Sequence, residues 1–161
     1  MILVKIGGGE SINLEAVIAD LATMDAPFMI VHGANVLRDR LAEKLGIKKT
    51  ILTSVSGYSS VFSDRDAIDV IMMSYAGLRN KRIVELCQRS DINAVGLTGL
   101  DGRIVQGERN KGIRVRENGK TLIKRDFSGK PRSINTRLLR LLIDSNYCPV
   151  MTIPIADEKG F

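Results

Sequence analysis

Three short runs of the chain are apolar almost throughout: Ile2-Leu3-Val4-Lys5-Ile6, Phe28-Met29-Ile30-Val31-His32 and Asn93-Ala94-Val95-Gly96-Leu97. A fourth, Pro149-Val150-Met151-Thr152-Ile153, lies near the end. A strand that is apolar on both faces is covered on both, which is the signature of a parallel sheet between layers of helix. The segments between these runs supply the helices. Leu14, Val17, Ile18 and Leu21 recur at helical spacing, with Asn13 as N-cap and Asp25-Ala26-Pro27 as the break. Leu37, Leu41 and Leu45 mark a second helix, and Gly46 stands where its C-terminal stop belongs. A polar loop follows from Ser54 to Ser63. A long helix is then predicted from about Asp64 to Arg89, with Ile68, Ile71, Met72, Tyr75, Leu78 and Leu86 facing inward. A last helix over 133–145, carrying Ile134, Leu138, Leu141 and Leu142, precedes the fourth strand.

One stretch has a different period. Gly112-Ile113-Arg114-Val115-Arg116 and Thr121-Leu122-Ile123-Lys124-Arg125 alternate apolar and charged positions around Asn118-Gly119. That is a hairpin signal, with one face expected to pack and the other to be basic. The fold class is therefore α/β: a three-layer αβα sandwich with a mainly parallel sheet and an inserted basic β-hairpin.

Length changes this picture little, because 161 residues suit a single core. No apolar run approaches the roughly 20 residues of a membrane span. The first residues read as a strand and not as a signal peptide, so no membrane association and a cytoplasmic location are expected. Cys87 and Cys148 lie in apolar surroundings without metal-ligand spacing, and are expected to be buried free thiols. His32 is the one histidine, which leaves no Ser-His-Asp set and no expected metal site; a structural role is expected for it.

Charge changes the picture more. Arg103 to Arg132 holds ten basic and three acidic residues, a net +7, whereas the whole chain carries +6. The basicity is a local footprint, and three readings of it stand: a docking face for an acidic protein, a solvated surface, or a nucleic-acid contact. Nucleic acid is disfavoured, since Phe127 is the one aromatic in the stretch and base stacking wants several.

The candidate chemistry sits where strands end. Lys5 closes the first strand and is followed by Ile6 and then Gly7-Gly8-Gly9; the second strand opens into Gly33-Ala34-Asn35. Glycines at a strand's carboxyl end let backbone N–H groups approach an anion, and a lysine there supplies charge for a phosphoryl group. In a parallel sheet these turns, the Ser54–Ser63 loop and Thr98–Gly102 would share one edge, where ligands gather.

At Val4–Gly8, Val31-His32-Gly33, Leu78–Lys81, Ala94–Gly102 and Pro149-Val150 the chain resembles the amino acid kinase superfamily, in its acetylglutamate kinase branch. Within that branch it looks most like the kinases acting on aminoadipate or glutamate attached to the acidic amino-group carrier protein LysW. The resemblance implies ATP-dependent phosphorylation of a side-chain carboxylate to an acyl phosphate in lysine or arginine biosynthesis, with Mg²⁺ accompanying ATP. It implies Lys5 and Gly8 as catalytic residues, with backbone N–H groups of Gly7, Gly8 and Gly33 cradling the phosphate. Gly7, Gly33, Ala34, Asn35, Tyr58, Ser59, Ser60, Val61 and Arg65 would bind the small acyl amino acid. The carrier protein would dock on Arg114, Arg116, Lys124 and Arg125, and the enzyme would be a homodimer.

The chain departs from the family pattern in three places. Where the family has Gly-Gly and a small residue, this chain has Gly33-Ala34-Asn35; a methyl at Ala34 restricts positive φ, while Asn35 offers a side-chain donor in exchange. Where the family loop carries an arginine gripping the substrate α-carboxylate, this chain has Val61, with Arg65 as the stand-in. Losing such a contact weakens a carboxylate ligand by roughly 1.5–3 kcal/mol, so an altered substrate is expected. The family's nucleotide-binding half has no counterpart here, so residues 1–161 are expected to be the acyl-substrate-binding and dimerisation half, inactive alone. The alternatives are a non-catalytic domain that binds an acidic carrier, a divergent paralogue with another acyl substrate, and an αβα domain binding phosphate in other chemistry.

Overall fold

The protein's structure, a computed structural model, describes residues 1–117 and 120–159. The chain opens with β1 (Ile2–Ile6), α1 (Leu14–Ala22), β2 (Phe28–His32) and α2 (Asn35–Lys44). Next come β3 (Ile51–Thr53), β4 (Ser59–Val61) and α3 (Arg65–Ile71), continued by a π-helical segment (Met72–Arg79) into α4 (Asn80–Arg89). Then follow β5 (Ala94–Thr98), β6 (Val105–Arg109), β7 (Ile113–Glu117), β8 (Lys120–Lys124), β9 (Gly129–Ile134), α5 (Thr136–Asp144) and β10 (Cys148–Thr152).

The four apolar runs form one parallel sheet in the order β1-β2-β10-β5. Its two faces are covered by different layers. On one, Ile6, Ile30 and Val150 pack with Ile18 and Leu21 of α1 and Ile83, Leu86 and Cys87 of α4. On the other, Met29, Val31 and Met151 meet Ile104 and α5 through Leu138 and Leu139. Ile18, Ile30, Ile83 and Val150 are fully buried. Each such side chain contributes about 1.5–3 kcal/mol of burial free energy, which locks the sheet and its edge loops in register. Both cysteines are buried free thiols. Burial raises Cys87 to about 11 and Cys148, which also faces Cys87, to about 12, so neither is a thiolate at neutral pH.

Helix starts lie where acceptor side chains stand. Asn13 Oδ1 accepts from the Ala16 amide (3.1 Å), Asp64 Oδ1 from Ala67 (2.9 Å) and Asn135 Oδ1 from Arg137 (3.1 Å). The structure differs from the sequence expectation at four points. The Ser54–Ser63 loop contains half of a hairpin, β3 paired antiparallel with β4. The last helix starts at Thr136, because Ser133 and Ile134 belong to β9, which pairs with β6. Met72 and Leu78 are exposed and not inward, because the wider π turn rotates the face away from the sheet.

The hairpin faces also divide differently. In an antiparallel pair, directly opposed residues share a face. Arg114 opposes Ile123 and Arg116 opposes Thr121, whereas Lys124 opposes Ile113 on the side of buried Val115. Lys124 therefore does not share a face with Arg114 and Arg116. The Asn118-Gly119 turn lies outside the described residues. Among the described residues no helix is long and apolar enough to cross a membrane.

Candidate active site

β1 and β2 are in register from Ile2 opposite Phe28 to Ile6 opposite His32, so their glycine turns emerge side by side. The turns touch through backbone. A Cβ on Gly8 would lie 2.5 Å from the Asn35 nitrogen and 2.6 Å from that of Ala34, and the Val36 amide donates to the Gly8 carbonyl (3.2 Å). Only glycine fits there. Gly33 does not supply an anion donor as expected: its N–H is committed to the Ile6 carbonyl at 2.9 Å, which extends the parallel pairing by one residue. Ala34 is buried with φ −150°, so its methyl meets no positive-φ strain. It caps α2 without a side-chain bond, and of the first-turn amides that of Val36 is taken up by the Gly8 carbonyl, which sets the N-terminal end of α2 against the Gly7–Gly9 strip.

Asn35 is held by Tyr75, whose buried phenol donates to Asn35 Oδ1 at 2.5 Å. With that oxygen occupied, the Asn35 amide NH₂ remains as an outward donor without a partner among the described residues. Lys5 is exposed beside Val31 on the sheet face opposite Ile6, and it has no ion pair among the described residues.

His32 has the structural role expected of it. Asn80 Nδ2 donates to the Val150 carbonyl (2.9 Å) and meets His32 Nε2 (3.1 Å); His32 Nδ1 faces the Gly33 carbonyl (3.4 Å). These bonds require a neutral ring. Burial lowers His32 to about 4, with the nearby Arg79 charge adding to the fall against the Gly33 bond. Asn80 also lies over Gly96, where a methyl would overlap its side-chain oxygen, and Lys81 Nζ reaches the Gly96 carbonyl (3.3 Å). Asn80 and Lys81 thus clamp helix to sheet behind the turns. Asp101 closes its own turn, accepting from the Thr98 amide (2.6 Å) and hydroxyl (2.8 Å).

The Ser54–Ser63 segment is the turn and second strand of the β3–β4 hairpin. Tyr58, 75% exposed, sits at its tip, and Ser59 bonds the Thr53 hydroxyl at 2.9 Å. Ser60 pairs with Leu52 through β4. Val61 lines a cleft of about 80 Å³ with Ala42, Ile47, Ala67 and Val70, and so packs against α2 and α3. The Val55 amide donates to the Arg114 carbonyl (2.8 Å), which joins this hairpin to the basic one.

A cavity of about 520 Å³ opens between α3, the β6–β9 pair and residues 153–157. Ile68, Ile71, Met72, Ile153 and Ile155 give it an apolar wall. Arg65 lines it, as do Arg109 and Phe127, which the sequence did not single out as site residues. No local motif marked them, because 62 residues separate Arg65 from Phe127. Among the described residues, no three His, Cys, Asp or Glu side chains form a metal cluster.

The amino acid kinase family profile matches residues 1–161. A LysW-aminoadipate kinase of Deinococcus radiodurans is 43% identical over 99% of the chain, and one of Thermus thermophilus is 42% identical over 96%. The chain spans 56% and 59% of the length of these two relatives. Among solved structures, smu.665 of Streptococcus mutans superposes with a TM-score of 0.69 over 99% of this chain and 60% of its own, at 14% identity, which speaks to the fold.

Proposed function

The chain belongs to the amino acid kinase family, and from that premise we propose that it forms the acyl-substrate side of a kinase phosphorylating a side-chain carboxylate. The observation that carries this reading is the backbone contact between Gly8 and Ala34-Asn35. It brings two glycine-rich turns, a helix N-terminus and the rim lysine Lys5 to one edge of the sheet.

The chemistry asks little of the protein beyond placement and charge. A carboxylate is already the anionic nucleophile at neutral pH, so no general base is needed. One of its oxygens attacks the γ-phosphorus of ATP, the bond to the β-phosphate oxygen breaks, and acyl phosphate and ADP result. Lys5 neutralises the charge on the transferring group, while the amides of Gly7 and Gly8 and the first turn of α2 line its oxygens. Asn35 contributes its side-chain amide, oriented by Tyr75. No cluster of three His, Cys, Asp or Glu side chains stands at these turns among the described residues to hold Mg²⁺. ATP with its metal would be held mainly by a part of the enzyme outside these 161 residues.

Two relatives named for LysW-aminoadipate support a substrate presented on an amino-group carrier protein, aminoadipate or glutamate being the acyl group. An acidic carrier suits the net +7 segment. Arg114 and Arg116 would meet it on one face of the β7–β8 hairpin, with Arg125 beyond the end of β8. The β3–β4 hairpin with Tyr58, Ser59 and Ser60 would close over the acyl group, and the enzyme would act as a homodimer.

The test is hydroxylamine trapping of acyl phosphate by the complete natural polypeptide with ATP, Mg²⁺ and carrier-bound aminoadipate. Hydroxamate formation lost in Lys5→Ala supports the reading. Hydroxamate formed equally by Lys5→Ala, or none with any dicarboxylic acyl substrate, removes it.

A further inference from the structure

The π-helical segment ends on a cation that nothing answers. Arg79 is half-buried, and its Nε and Nη2 are buried without a hydrogen-bond partner among the described residues. Burial lowers its pKa, yet a guanidinium remains charged at neutral pH. An unpaired charge out of water is costly, so a position that keeps one calls for an anion that the folded chain does not itself supply.

The π turn fixes where this charge lies. The Asn80 amide donates to the Tyr75 carbonyl, five residues back, which brings Tyr75 and Asn80 to the sheet side together, both buried. In an α-helix of 3.6 residues per turn the two would be turned apart by roughly four-tenths of a turn. Each is tied to one end of the second glycine turn. Tyr75 bonds Asn35, and Asn80 meets His32, whose ring faces the Gly33 carbonyl. Arg79 stands between these anchors, and His32 feels its charge. It therefore lies beneath Gly33-Ala34-Asn35, on the sheet face where α4 packs against Ile6. Lys5 approaches the same edge from the opposite face. The two cations flank the place where Gly8 meets Asn35, and they differ in strength. Lys5 is exposed and screened by water, whereas the shielded guanidinium acts at a lower effective dielectric.

We infer that Arg79 is the stored counter-charge for a phosphoryl group held at the Gly8 and Ala34-Asn35 turns. This rests on the carboxylate-kinase reading above and adds to it a second cation, placed below the turn. Arg79 acts through the field at the turn and touches no reacting atom. The empty site bears the cost of an unpaired charge, and the arriving anion relieves it, so stability of the free chain and affinity for the anion are set against each other.

The experiment titrates this chain with inorganic phosphate at fixed ionic strength and follows the Gly8 and Asn35 backbone amides by ¹⁵N NMR, with urea unfolding measured in phosphate-free buffer. Arg79→Met keeps the length of the side chain and removes the charge. It should weaken phosphate binding at the turns by about tenfold or more, and raise the urea midpoint. Arg79→Lys keeps the charge without the fork and should retain most of the affinity. A guanidinium with a merely structural role gives the reverse of the Arg79→Met result, a lower midpoint with the phosphate response intact. If the turns of the parent respond to phosphate and Arg79→Met responds equally, or if Arg79→Lys loses as much affinity as Arg79→Met, this inference fails and the kinase reading stands. If the turns of the parent do not respond to phosphate, both fall.

Discussion

Gly8 and Asn35 meet backbone to backbone: a Cβ on Gly8 would stand 2.5 Å from the Asn35 nitrogen. The two turns are therefore one structure, and the separation of β1 and β2 at their carboxyl ends is set by the absence of a side chain. Gly8→Ala should force the turns apart at a cost of about 1–3 kcal/mol, as overpacking does. Gly9 is the control, since a Cβ there meets nothing within 4 Å. Urea unfolding of the two alanine variants checks this: a large loss at Gly8 and a small one at Gly9 is expected, and equal losses would contradict the contact.

The phenol of Tyr75 sets the direction of the Asn35 amide. Tyr75→Phe keeps the packing and removes the donor, so stability should fall by about 1 kcal/mol. Asn35 Oδ1 then competes for the same space as its NH₂. The Asn35 side-chain NH₂ signals in an ¹⁵N-edited NMR spectrum should broaden or collapse toward the exposed-asparagine position. Signals unchanged from the parent would mean that Tyr75 does not orient the amide.

His32 makes the fold sensitive to mild acid. Its ring is held at about 4, against 6.5 when unfolded. Between those values the unfolded chain binds a proton that the folded chain refuses, so stability is full above pH 6.5 and is lost as the pH falls toward 4. The shift corresponds to about 3 kcal/mol. Thermal melts from pH 7 to 4 should show this decline, and His32→Gln should flatten the part of the slope that centres on the histidine.

What the sequence made legible was local. The adjacency of β1 and β2, the cap at Asn13, the helix start near Asp64 and the glycine turn at Gly8 follow from short-range patterns of apolarity and capping chemistry, whereas the bond from Tyr75 to Asn35 joins residues 40 apart and left no local mark. β3 and β4 were hidden because three residues each, Ile51–Thr53 and Ser59–Val61, are too few to show a period. β9 contains Pro131 and is exposed throughout, so its pairing with β6 left no burial signal. Met72 and Leu78 were misplaced because 3.6-residue counting fails across a π segment. The stacking of Arg65 and Arg109 on Phe127 was invisible for a different reason: its joint is a bond between Ser63 and Asp126, 63 residues apart, and only the folded chain brings the two arginines and the ring together.

The basic hairpin yields the last prediction. Arg114 and Arg116 project from one face of β7, while Lys124 lies on the other with Ile113. A partner steered by charge should therefore feel reversal of the first two far more than reversal of the third. Arg114→Glu with Arg116→Glu should weaken binding of an acidic carrier protein by tenfold or more, and Lys124→Glu by much less. Because both arginines are exposed, the effect should shrink as salt rises toward the range where the screening length is about 3 Å. Binding measured by interferometry from low to high salt decides it. Equal losses from the two faces would move the docking site off this strand, and binding indifferent to salt would mean that the net +7 segment serves only to keep the surface solvated.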